Sequence, residues 1–272
     1  MEKSQKLSLS IFFLLLTISC IENKEDPVKI LEYGKRYQGS TRSLNALKKV
    51  TELDSTNSEA YRELSIPYLK RGLPHLWKKY MDKSIALNAQ EWQGYRGYNY
   101  LWFYRDYKKA IADFDASDTL TPNFIDAPQG HSVDYWRGIA YLGLKDYKNS
   151  IYYFEKHIEK ETKETGEDWV EMTAYLYEGI AHYENKNDSL ALLSFDKLLK
   201  YTKNDFADGN YYKALILEKK GNYKTALELT NLAIKNYEEG FYNYRAYVET
   251  LRQIYPEDLL LLKERLTKNK II

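Results

Sequence analysis

The stretch Tyr135 to Lys156, YWRGIAYLGLKDYKNSIYYFEK, decides the fold. A small residue, Gly138, is followed one helical turn later by Tyr141, and a break falls at Lys145-Asp146. A second run then carries Tyr147, Ser150, Ile151 and Phe154. Both runs place apolar residues three or four positions apart, so the segment predicts two amphipathic helices joined by a tight turn.

Other parts of the chain are imperfect copies of this segment. Upstream, YRGYNYLWFYRDYKKAIADFDAS supplies Tyr98, Leu101, Tyr107, Ala110, Ile111 and Phe114. Downstream, YEGIAHYENKNDSLALLSFDK supplies Gly179, Ala191, Leu192 and Phe195, and YKALILEKKGNYKTALELTNLAI supplies Ala214, Leu217, Gly221, Tyr223, Ala226, Leu227 and Ala233. Tyr98 to Gly138 spans 40 residues, Gly138 to Gly179 spans 41, and Gly179 to Ala214 spans 35. The two longer steps predict insertions, one at Asn123 to Ser132 (NFIDAPQGHS) and one at Lys160 to Asp168.

These columns resemble the tetratricopeptide repeat over roughly residues 40 to 240, whose period is about 34 residues. The resemblance implies an all-α protein, a right-handed α-solenoid of helical hairpins. Small residues such as Gly138, Gly179, Ala110, Ala191 and Ala226 would let paired helices approach, and Phe114, Phe154 and Phe195 would fill the gap to the next hairpin. Asp134 and Arg137 stand where the family is usually apolar. Pro67 is foreign to the pattern and predicts a kink or early end in its helix.

The remaining organisation follows from flanking signals. Lys3 and Lys6, the apolar run IFFLLLTI and Thr17-Ile18-Ser19-Cys20 resemble a bacterial lipoprotein signal, with residues 1–19 removed and Cys20 lipidated. Several acyl chains on one residue anchor stably, whereas a single chain is marginal. Residues 20–27 read as a polar tether, and their acidic character resembles the surface-export signal of some Bacteroidetes lipoproteins. The expected location is the bacterial outer membrane. Residues 28–239 read as five to six hairpins, the first degenerate, and residues 240–272 as two capping helices, Phe241 to Tyr255 and Pro256 to Asn269.

Composition narrows the function. Lys+Arg total 40 and Asp+Glu 39, which gives no support to nucleic-acid binding. With one cysteine no internal disulfide can form. The four histidines, His75, His131, His157 and His182, fall in separate units, and no Gly-rich phosphate loop, GxSxG or HExxH occurs. The sequence therefore predicts no enzyme, no cofactor and no metal site.

What remains is a surface. Trp92, Tyr95, Asn99 and Trp102 recur on one helical stripe, and Tyr135 and Tyr211 occupy comparable places in later units. The resemblance implies that first helices line the concave face, where the stripe would form an aromatic groove. Packing between neighbouring hairpins is the alternative for the same residues. In the inserted loop, Gln129 and His131 are candidate contacts. The expectation is a non-catalytic scaffold that binds an envelope protein or peptide; glycan or substrate capture is the alternative.

Overall fold

The structure, a computed structural model, describes residues 26–269. The signal segment and Cys20 lie outside the described residues. Among those described there are thirteen α-helices and no β-strand.

The chain divides into two units, the first ending at Tyr80. In the first, α1 (Pro27–Arg36) pairs with α2 (Thr41–Leu53), followed by α3 (Ser58–Lys70). Asp26 caps α1 by accepting from the Val28 amide and Pro27 sits in its first turn, so the end of the expected tether already belongs to the fold. Leu31, Leu47, Val50, Ala60 and Leu64 form the buried core. The early stop expected at Pro67 does not occur: α3 continues to Lys70. Pro67 lies in the last turn, where its own carbonyl still receives the Arg71 amide. Next, α4 (Pro74–Leu87) runs from the first unit into the second.

The second unit contains four hairpins: α5 (Ala89–Trp102) with α6 (Tyr107–Leu120), α7 (Val133–Gly143) with α8 (Tyr147–Thr165), α9 (Met172–Glu184) with α10 (Asp188–Tyr201), and α11 (Ala207–Lys219) with α12 (Tyr223–Glu238). Their turns share one device. A residue with positive φ (Arg105, Lys145, Lys186, Gly221) precedes an Asp or Asn (Asp106, Asp146, Asn187, Asn222) whose side chain caps the second helix. The left-handed residue reverses the chain, and the Asx oxygen accepts an orphan amide of the new helix.

Packing explains the repeated glycines. A Cβ on Gly138 would lie 2.8 Å from the Phe154 ring, and one on Gly179 would lie 2.5 Å from Phe195. Gly97 stands in the same relation to Phe114, at 2.7 Å. The equivalent position is therefore Gly97, not Tyr98, and Gly97, Gly138 and Gly179 are spaced evenly at 41 residues.

Two polar residues at positions expected to be apolar form buried links. The Arg137 guanidinium donates to Asp134 and Asp115 at 2.9 Å, to the Phe114 carbonyl at 2.8 Å and to Asp118 at 2.5 Å. Lys156 reaches the other oxygen of Asp134 at 2.9 Å. Thus Asp134 and Arg137 replace apolar contact by a network tying α6, α7 and α8 together.

At the C-terminal end only one of the two expected helices forms. Here α13 (Pro256–Asn269) packs on α11 and α12, burying Leu259, Leu262 and Leu266. Residues 241–255 are irregular. Gly240 ends α12 at φ +87°, and Tyr247 and Arg252 adopt positive φ, which breaks any helical course.

Candidate functional site

The irregular segment 241–255 is a strap laid along the first helices of the second unit. It touches each in turn. At α11 the Phe241 carbonyl accepts the Ala207 amide at 2.8 Å, and the Asn243 amide donates to Asp208 at 2.9 Å. At α9 the Asn243 side chain donates to the Tyr177 hydroxyl at 2.9 Å, and Arg252 forms a bidentate pair with Glu184 at 2.5 and 2.8 Å. At α7 and α5 the Arg245 guanidinium sits over the rings of Trp136, Trp102 and Tyr98, at 5.0, 4.8 and 5.5 Å. It also donates to the Tyr98 hydroxyl at 2.9 Å. Just beyond α5, Arg105 donates to the Glu249 carbonyl.

This arrangement corrects the expectation of an open aromatic stripe. Trp92 is 7 % exposed, Asn99 1 %, Trp102 2 % and Tyr135 2 %. Trp102 packs edge-on to Trp136, and Tyr135 packs against His131, Trp136 and Tyr177 while its hydroxyl meets Thr173 at 2.6 Å. Tyr95 is half-buried, stacking on Tyr98 and standing edge-on to Trp92. Tyr211 is half-buried too, against Tyr212 and the apolar face of α13. Large rings on adjacent first helices meet one another before they meet solvent, and the strap covers what is left. Among the described residues, neither amide atom of Asn99 nor the Trp102 indole nitrogen has a hydrogen-bond partner.

The inserted loop folds down on the same region. The Trp136 indole donates to the Pro128 carbonyl at 2.9 Å, and Asp126 accepts from Thr121 at 2.7 Å and from Ser117. Gln129 is exposed at φ 59°. His131 stacks on Tyr135 with its Nδ1 3.8 Å from Glu171. Burial holds its pKa down, opposed by the Glu171 carboxylate. The two candidate loop residues thus part company: Gln129 faces solvent, and His131 belongs to the aromatic cluster.

What the strap turns outward is aromatic. Tyr244 is 69 % and Tyr247 78 % exposed, and Phe241 and Tyr255 are exposed beside them. Tyr237 and Tyr242, stacked at 4.3 Å, complete a cleft of about 400 Å³ with these tyrosines, Glu249 and Gln253. The sequence reading missed this surface because it assigned the segment to a helix. The signal was there in FYNYRAY, where tyrosines fall two or three residues apart with no helical stripe.

Elsewhere, Glu155 on α8 meets Glu178 and His182 on α9, with one ligand atom from each within 4.8 Å of the others. A cation could be held here. The reading of the histidines as isolated overlooked the i, i+4 relation of Glu178 to His182, since it sought only histidine pairs.

Several solved structures share the architecture. A type IV pilus biogenesis factor, PilW, matches with a TM-score of 0.61 at 12 % identity, over 82 % of this chain and 97 % of that one. A tetratricopeptide repeat protein from Parabacteroides merdae matches at 0.57 and 14 % identity, over 98 % and 94 %. YrrB, described as a tetratricopeptide protein with an unusual peptide-binding site, matches at 0.52 and 18 % identity, over 72 % and 94 %. No protein-family profile matches the sequence, and no curated protein does. At these identities the likeness is one of fold: an all-α solenoid of tetratricopeptide-type hairpins.

Proposed function

We propose that the chain is an exported lipoprotein, held in the bacterial outer membrane through Cys20, that serves as a non-catalytic scaffold for another envelope protein. The observation that carries this reading is the exposed tyrosine cleft on the strap. Tyrosine joins an apolar ring to a hydroxyl and loses little side-chain entropy, so clustered exposed tyrosines suit protein recognition. The strap is tied to all four hairpins of the second unit, which makes it a firm platform. Docking is therefore assigned to Tyr244, Tyr247 and their neighbours, and the buried Trp92–Trp102 stripe supports the platform from beneath.

The test is a crosslinked pull-down from solubilised envelopes. Tyr244→Ala with Tyr247→Ala should lose a stoichiometric protein partner that the wild type retains. Retention of the same partner in the double variant would contradict this placement. The anchor is tested by Cys20→Ala, which should move the protein out of the membrane fraction; continued fractionation with membranes in the absence of the partner would contradict it.

Glycan capture is the second reading, favoured by the flat tyrosine faces lining the cleft. It predicts a change in tyrosine fluorescence on titration with oligosaccharides and no protein partner.

A further inference from the structure

A polar link recurs at three of the four steps between hairpins in the second unit. The residue just before the small first-helix residue reaches back to an acidic residue on the preceding helix. Arg96 on α5 meets Asp82 on α4 at 2.8 Å, Arg137 on α7 meets Asp115 on α6 at 2.9 Å, and Lys213 on α11 meets Asp196 on α10 at 2.5 Å. The acid of each pair follows a large buried side chain: Met81, Phe114 and Phe195.

The remaining step breaks the rule. Glu155 follows Phe154 and is the acid, but the position of Arg96 and Arg137 is taken by Glu178. Two carboxylates therefore face each other across α8 and α9 where the other steps place a cation against an anion. One turn along, where Tyr100 and Tyr141 stand in the earlier hairpins, the chain has His182.

His182 is 6 % exposed, and its buried Nδ1 has no hydrogen-bond partner among the described residues. One of its ring nitrogens lies within 4.8 Å of an oxygen of each glutamate. A nearly buried imidazole without a partner, beside two like charges, is unfavourable unless something joins them. Lys197 influences Glu178 electrostatically, but its ammonium is engaged by Glu167 at 2.7 Å. Burial, and then the Glu155 charge, push the Glu178 carboxyl up. The Ser194 hydroxyl donates to one Glu178 oxygen at 2.8 Å and orients the group.

We propose that Glu155, Glu178 and His182 bind a divalent first-row transition-metal ion, Zn²⁺ in the first instance, which supplies the positive charge that Arg96, Arg137 and Lys213 provide at the other steps. One imidazole and two carboxylates are a ligand set for such ions, whereas Mg²⁺ and Ca²⁺ take oxygen alone. Three protein ligands leave a coordination position for water, and Glu155, exposed at the rim, gives the ion its entry. The ion ties α8 to α9 as the arginine networks tie their helices, so its role is structural.

The experiment is calorimetric titration of the purified, untagged full chain with Zn²⁺, repeated with Co²⁺ followed by absorption. Wild type should take up one ion per chain, with Co²⁺ spectra lacking a thiolate charge-transfer band. His182→Ala should abolish that uptake. Because a buried histidine can be needed for folding, Glu155→Gln at the exposed rim is the second variant; it should fold normally and raise Kd about tenfold or more. Glu178→Arg should rebuild the pair seen at Arg137, raise the melting temperature above that of metal-free wild type and leave no response to Zn²⁺. Absence of saturable binding by wild type, or the same Kd in folded Glu155→Gln, would overturn the assignment and leave Glu178 holding a proton between the two carboxylates.

Discussion

The Arg245 guanidinium donates to the Tyr98 hydroxyl at 2.9 Å, across 147 residues of sequence. With Trp102 and Trp136 also against it, this arginine pins the strap to α5 and α7. Cation–π contacts contribute from about 0.5 to 2 kcal/mol each, according to their desolvation. Arg245→Ala should free the middle of the strap while the hairpins stay folded. Limited proteolysis should then cut between residues 241 and 255 much faster than in wild type, and unchanged cleavage would show that Asn243 and Arg252 suffice.

Gly138→Ala and Gly179→Ala should destabilise the second unit by about 1–3 kcal/mol each, since a methyl group would enter the Phe154 or Phe195 ring. Urea unfolding measures this. Gly72→Ala is the control: a Cβ there meets nothing within 4 Å, so only its φ of +66° is strained.

Arg137→Ala should cost about 3–5 kcal/mol, because Asp134 stays buried with Lys156 as its one remaining ion-pair partner among the described residues. Arg137→Lys should recover little. One ammonium cannot reach Asp115, Asp118, Asp134 and the Phe114 carbonyl together. Denaturant midpoints for the two variants check both statements.

These cases show what the sequence discloses. Hairpins and their insertions were legible because small residues and phenylalanines recur in register. The repeat position was misplaced by one residue at Tyr98, since the adjacent Gly97 shows its role only when the Phe114 ring is seen against it. Asp134 and Arg137 stood out from the apolar pattern because what satisfies them lies on other helices: Asp115 and Asp118 of the preceding helix for Arg137, and Lys156 of the following one for Asp134. The strap escaped because segment 241–255 is held by contacts up to 147 residues away, and no local pattern encodes them.

Asp208 and His157 give opposite pH dependences. Burial pushes the Asp208 carboxyl up to about 6 from 3.8, although the Asn243 amide opposes the shift. Between those values the folded chain holds a proton that the unfolded chain has released, so stability falls as pH rises through the window. Burial, helped by neighbouring His131, holds His157 down to about 4 from 6.5. There the unfolded chain takes up the proton first, so stability falls as pH drops from about 6.5 toward 4. In wild type the two effects largely offset. Asp208→Asn should remove one, gaining roughly 2–3 kcal/mol over wild type at pH 7 relative to pH 4 in urea unfolding. Equal differences at the two pH values would contradict this.

Docking on the strap, as proposed, requires the first-helix aromatic stripe beneath it to be closed. Trp169 is exposed, whereas Trp77, Trp92, Trp102 and Trp136 are buried. The most direct measurement is acrylamide quenching of tryptophan fluorescence in Trp169→Phe, which leaves only those four. A blue-shifted emission with weak quenching, becoming accessible in Trp169→Phe with Arg245→Ala, is the predicted result. Strong quenching of Trp169→Phe alone would mean that the stripe is open to solvent, and would return the binding surface to Trp92 and Trp102.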